Sequence, residues 1–289
     1  MESEKSDLNN IVSGLDLVLE EDEKKYRMLK TRKRITTLER KFVNRSICFA
    51  NVKSYFCSTC LKSNSNFRCS KCKLKYYCST ECQLMDWKDS HSLLCSEVVD
   101  PELEMLVKLK LKDTQDTIYN TLMDHSDSNV PLYKKNQDIF FEKSKLAIKT
   151  LKKKKNKNFI FDDKFNFIRD LNIFKFNNFN LTDFQFFSIA EGCFPLGSLF
   201  NHSCCPNMFV GYRLDEQSFF SLRDIEIGEE LFHTYIDPLI PKEERRNALF
   251  EKYNFWCECE RCSGNAGNRK DGFHLIDVLI ENSGVEEKL

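Results

Sequence analysis

Eight potential metal ligands at fixed spacing constrain this chain more than any other feature: Cys57-x2-Cys60-x8-Cys69-x2-Cys72-x5-Cys78-x3-Cys82-x8-His91-x3-Cys95. Eight thiolates and imidazoles suffice for two tetrahedral zinc sites. Each Cys-x-x-Cys pair can place both sulfurs on one metal. Cys78 and Cys82, like His91 and Cys95, stand four apart, which on a helix puts each pair on one face. Reduced cysteines used only for packing would not repeat so regularly. A closed four-ligand site has no open position for chemistry, and its metal supplies folding energy. The spacing leaves open which ligand joins which metal.

The chain has 289 residues with 14 Cys, and it starts Met1-Glu2-Ser3-Glu4-Lys5, without the basic-then-apolar plan of a signal peptide. Metal binding in a reducing compartment is therefore expected, not disulfides, which suits a zinc protein of the nucleus or cytoplasm. No apolar run approaches the roughly 18–20 residues that span a bilayer, so no membrane partner is expected. The 44 basic and 44 acidic residues cancel, so net charge gives no reason to invoke nucleic acid. This length buries a substantial core in one large or two modest domains.

Along the chain, Leu15, Leu17 and Leu19 alternate as in a short strand, before a solvated acidic and basic stretch. Residues 97–123 read as helix, with Leu103, Leu106, Val107, Leu111, Ile118 and Leu122 near helical spacing and Pro101 near the start. The basic run Lys152-Lys153-Lys154-Lys155-Asn156-Lys157 fits an import or nucleic-acid patch, or a solvated helix end; the charge balance favours the latter. The many Phe of 159–187 are expected in the core. Residues 209–213 and 217–223 suit two strands joined by Leu214-Asp215-Glu216, followed by a turn and short strand over 224–231. That path brings Tyr235 back beside Asn201-His202-Ser203-Cys204-Cys205-Pro206-Asn207, a polar loop in which Pro206 removes a backbone donor.

This loop, with Gly228-Glu229-Glu230-Leu231, Tyr235 and the Cys257-Glu258-Cys259-Glu260-Arg261-Cys262 cluster, resembles the SET-domain signature and post-SET zinc site of protein lysine methyltransferases. Residues 57–95 resemble a MYND zinc finger, so the whole is similar to the SET-and-MYND (SMYD-type) family. The resemblance implies an α+β fold: a SET β-fold split by an inserted MYND finger, with a helical insert and a Cys-rich post-SET segment. It implies a divergent N-terminal half of the SET domain at 1–50, the finger at 57–95, the insert at 96–170, the C-terminal SET core at 171–240, the post-SET segment at 241–265 and a tail at 266–289. It implies that Cys57, Cys60, Cys78 and Cys82 hold one zinc, Cys69, Cys72, His91 and Cys95 a second, and Cys204, Cys257, Cys259 and Cys262 a third. The choice of Cys204 over Cys205 comes from the family pattern. Cys48, Cys193 and Cys205 remain as buried thiols.

By the same resemblance the activity is S-adenosylmethionine-dependent methylation of histone or other protein lysines. Tyr235 would orient the acceptor amine. Asn177, Asn201 and His202 would hold the donor, with Tyr253 and Phe255 lining the lysine channel and adenine pocket. His233 has no family role. The family's Gly-x-Gly donor turn is absent, since Gly14 is the only glycine before Gly192. That absence favours a rival reading: an inactive SET shell that acts through its finger, which in relatives docks proline-rich peptides. The family's helical C-terminal domain exceeds what residues 263–289 can form, so substrate choice is not inherited.

Overall fold

The computed structural model describes residues 2–21, 27–95, 100–112, 116–125, 131–153 and 164–264. Helix α1 (Glu2–Ser13) packs on the hairpin β1 (Leu17–Glu20) and β2 (Met28–Thr31), in which Leu17 faces Thr31. Strands β3 (Arg40–Arg45) and β4 (Cys48–Asn51) find their partners in the distant second half. One sheet has the order β10-β11-β3, with β10 (Met208–Arg213) and β11 (Glu216–Ser221); the other has β4-β8-β7, with β7 (Asn178–Thr182) and β8 (Ser188–Cys193). All pairs in both sheets are antiparallel. The two halves of a SET-type fold thus interlock around everything inserted between them.

The finger follows β4. A two-residue hairpin, β5 (Phe67–Arg68) and β6 (Tyr76–Tyr77), leads into α2 (Thr80–Asp86), a π-turn at Trp87–His91 and α3 (Ser92–Leu94). Ser79 caps α2 by accepting from the Cys82 N–H at 3.2 Å. A helical layer comes next: α4 (Pro101–Lys112), α5 (Thr117–Asn120), α6 (Pro131–Leu151) and α7 (Lys164–Asn177). Proline opens α4, where a missing N–H costs nothing. Met105, Leu106, Phe140, Phe167, Leu171 and Phe174 form its core against Cys48 and Cys193 of the β4-β8 pair. A second core, with Leu17, Leu29, Phe42, Phe200, Phe219 and Leu231, fills the space between the hairpins. Phe200 and Phe219 stack there at 4.1 Å, and each buried ring contributes about 1.5–3 kcal/mol. A Cβ at Gly197 would lie 2.2 Å from Gln217 Oε1, so a larger residue there would have to displace the end of the Gln217 side chain. No helix among the described residues is long and apolar enough to cross a membrane.

Several expectations need correction. The helix expected over 97–123 is two helices, α4 and α5. Phe184, Phe186 and Phe187 are exposed rather than core, at 89, 69 and 62%. They sit on the turn between β7 and β8, where Asp183 Oδ1 accepts the Gln185 and Phe187 N–H groups and turns the ring-bearing residues to solvent. Cys78 precedes the cap of α2 instead of sharing the helix with Cys82. Residues 224–231 form isolated bridges, Ile35–Ile225 and Lys30–Glu230, around Gly228 at φ +85°. Of the basic run, Lys154 to Lys157 lie outside the described residues, as does the tail at 266–289.

Candidate metal centres and catalytic cleft

Each of the three expected ligand sets converges, with its ligand atoms within 4.8 Å of one another. In the finger, the Sγ atoms of Cys60 and Cys78 lie 3.5 Å apart, those of Cys78 and Cys82 3.6 Å. In the second set Cys69 Sγ is 3.8 Å from Cys95 Sγ, and Cys72 Sγ is 3.5 Å from His91 Nε2. The interleaved pairing implied by the resemblance is the one the hairpin and helices produce. Seven sulfurs and one imidazole, four to a site, are a zinc donor set. Beneath them Tyr77 donates to Asp86 at 2.8 Å inside the finger.

Cys204 Sγ lies 3.9 Å from Cys257 Sγ and 3.5 Å from Cys262 Sγ. Cys205 stays outside the cluster, and unlike buried Cys48 and Cys193 it is partly exposed. The sequence reading missed three arginines here. Two come from α8 (Lys242–Tyr253) and one from α9 (Glu260–Ser263). Arg261 donates to the carbonyls of Cys204 and Pro238 at 3.1 and 2.8 Å, and Arg246 to those of Cys257 and Cys262 at 3.1 and 2.9 Å. Buried Arg245 approaches Cys262 Sγ at 4.0 Å. Four thiolates on one Zn2+ keep two negative charges, and these guanidiniums offset them while fixing the ligand loops. The Arg245-Arg246 pair and the arginine inside Cys-x-Arg-Cys were the available signal.

Short strands β9 (Asn201–His202) and β12 (Phe232–His233) run parallel and bring Tyr235 to the Asn201 loop. The Tyr235 N–H donates to His202 Nδ1 at 3.0 Å, which leaves the ring proton on Nε2, 3.2 Å from Cys204 Sγ. Burial pushes His202 down to about 4. Tyr235 Oη donates to the Phe200 carbonyl at 2.6 Å, and burial holds its phenol well above the usual range. Asn201 Nδ2 donates to the Arg27 carbonyl at 2.6 Å and to Glu230 Oε1 at 2.8 Å. The glycine-poor opening thus meets the loop through Arg27, whose guanidinium donates to the Ser198 carbonyl at 3.0 Å.

A cleft of about 950 Å3 opens beside these residues, within the range of small-molecule and cofactor sites. Phe179, His233, Tyr235, Tyr253 and Asn177 line it; Asn201, His202 and Phe255 do not, and His202 connects to it through the Tyr235 N–H. Tyr253 packs 5.0 Å from Tyr235, and Phe255 6.0 Å from His202. The Asn177 amide is already engaged, donating to the Ile173 and Met123 carbonyls at 2.9 Å. His233 is the unexpected member. Buried among Phe179, Phe200, Phe219 and Tyr235, it pairs through Nδ1 with the Thr234 carbonyl at 2.9 Å, while Nε2 has no partner. Burial pushes it down to about 3.

A SET-type fold, an inserted MYND finger and a Cys-rich C-terminal site are arranged here as in SET-and-MYND (SMYD-type) proteins, to which the chain is similar. The MYND finger model matches residues 57–95. The chain is 30% identical over 211 residues to N-lysine methyltransferase SMYD2-A of Xenopus laevis, covering 68% of this chain and 48% of that protein. It is 28% identical over 224 residues to N-lysine methyltransferase SMYD2 of Homo sapiens, covering 74% and 52%. The chain therefore spans about half the length of the curated relatives it matches. Its fold is similar to the SET domain of LSMT bound to lysine and AdoHcy, with TM-score 0.52 and 13% identity over 91% of this chain and 59% of that one. Rubisco LSMT bound to sinefungin and monomethyllysine is similar at TM-score 0.50 and 14% identity, covering 90% and 57%.

Proposed function

We propose that this chain is an S-adenosylmethionine-dependent protein-lysine N-methyltransferase of the nucleus or cytoplasm, acting on histone or other protein lysines. The observation that carries the reading is the aromatic slot of Phe179, Tyr235 and Tyr253, with the Tyr235 hydroxyl anchored on the Phe200 carbonyl. S-adenosylmethionine, when bound, supplies a sulfonium methyl open to in-line attack by an amine.

The chain's own residues do the rest. The rings of the slot hold the lysine's alkyl stem and exclude water. Free lysine has a pKa of about 10.4, so its amine must shed a proton before attack, and desolvation among these rings favours the neutral form. The Tyr235 hydroxyl keeps a free lone pair after donating to Phe200, and it uses that lone pair to orient the amine. Asn201, His202, Asn177, Tyr253 and Phe255 are the residues we assign to the donor, with Cys204 tying the Asn201 loop to the segment that carries Tyr253 and Phe255. The domain divisions read from the sequence are retained in this proposal.

The engaged Asn201 amide supports one second reading, an inactive shell that works through its MYND finger on a proline-rich peptide. Calorimetric titration with S-adenosylmethionine separates the two. Measurable heat is expected; no binding at millimolar donor selects the finger-only reading.

A further inference from the structure

Among the described residues five charged side chains line the cleft, and three have fixed partners or turn duties. Glu102 is held by Lys143 at 2.5 Å and Lys175 at 3.6 Å, and Asp237 Oδ1 accepts the Leu239 N–H at 2.8 Å. Glu191 and Lys252 differ. Among the described residues neither side chain has a hydrogen bond or an ion pair, although both are partly buried. Glu191 projects from β8, where its backbone lies between Asn180 of β7 and Ala50 of β4. Lys252 closes the last turn of α8, and its ammonium stands 4.9 Å from the centre of the Tyr253 ring. Tyr253 in turn is 5.0 Å from Tyr235, so Lys252 is one ring away from the slot assigned to the acceptor lysine.

A half-buried charge without a partner is costly, and an occupant bearing the opposite charge recovers that cost. Burial pulls the Lys252 ammonium down while the Glu191 carboxylate supports its charge. Around Glu191, burial and the carboxylates of Glu102 and Asp100 raise its pKa, against the ammoniums of Lys175 and Lys143. Each therefore keeps capacity for a further partner.

We propose that Glu191 and Lys252 form a charge-reading subsite for the protein substrate: Lys252 takes an acidic side chain, and Glu191 a basic one, flanking the acceptor lysine. The proposal rests on the methyltransferase reading above. It makes the substrate class a mixed-charge segment, and makes these two residues specificity determinants rather than parts of the transfer step.

The test uses the full chain, labelled S-adenosylmethionine and an oriented peptide library with one central lysine and degenerate flanks. The wild type should favour Asp or Glu at one flanking position and Lys or Arg at another. The double swap Glu191→Lys/Lys252→Glu preserves any mutual attraction of the pair but reverses the subsite. It should invert both preferences by about tenfold, a change of about 1.4 kcal/mol. A folded swap with unchanged preferences makes the pair merely structural and overturns the proposal. Should the swap not fold, Lys252→Met and Glu191→Gln replace it; each should flatten one preference, and unchanged preferences overturn the proposal equally. Methyl transfer by the wild type without charge preference also overturns it. Transfer to no peptide at all refutes instead the reading on which it rests.

Discussion

The finger's two metal sites and the Cys204 site use the same chemistry on opposite scales of chain separation. The finger takes all its ligands from residues 57–95, and its hairpin and helices exist to present them. The third site joins Cys204 to Cys257 across 53 positions and binds two regions that have no strand pairing with each other. A local site stabilises its own module. A long-range one makes the cleft depend on metal, because the loop bearing Asn201 and the segment bearing Tyr253 and Phe255 meet at its sulfurs.

The largest expected effect breaks the long-range site. Cys204→Ser should lower bound zinc from three ions per chain to two, abolish the heat of donor binding, and reduce the thermal midpoint by on the order of 10 °C. Cys72→Ser in the finger should also lose metal, yet keep donor affinity within about threefold; equal loss in both variants would erase the distinction. Tyr235→Phe should slow methyl transfer on the order of 100-fold with donor affinity nearly unchanged, and intact activity would refute its role. Arg261→Ala should cost about 2–3 kcal/mol in chemical denaturation, since it removes charged donors from one buried and one partly buried carbonyl, and it should weaken metal retention more than any finger arginine does.

A further effect appears only on acidification. His233 titrates at about 3 in the folded chain against roughly 6.5 when unfolded, so the unfolded state binds the extra proton. Its contribution to stability is complete above about pH 6.5 and falls as pH drops towards 3. His233→Phe should flatten that part of the curve measured by denaturant unfolding, whereas an unchanged slope would place the sensitivity elsewhere.

Ligand spacing marked the finger and its two metal sites, while the pairing within them and the choice of Cys204 came only with the family resemblance; the strands read at 209–213 and 217–223 fall within two residues of β10 and β11. What escaped has physical reasons. Helix α1 has few apolar residues, so periodicity is weak, and among its described side chains Leu8 and Val12 are the buried apolar ones. Helix α7 is rich in Asn and Phe, poor helix formers that burial against α4 and α6 overrides. Strands β9 and β12 have two residues each, below the reach of any pattern. Arg27 and His233 matter through partners far away in sequence, as when Arg27 meets Asn201 across 174 positions. Asn177, which the resemblance assigns to the donor, uses its amide at the end of α7 on the Ile173 and Met123 carbonyls.

The finger's position between β4 and α4 bears on the order in which the chain assembles. Lys108 of α4 donates to the Phe49 carbonyl of β4 at 3.0 Å, across 59 positions that include the whole finger. Were that stretch slack, its ends would have to find each other at the entropy of a long loop. Metal taken up early by the local ligands turns the stretch into a short rigid bracket and delivers the two ends as neighbours. Zinc supply during synthesis would then govern how fast the strands from the two halves can begin to pair.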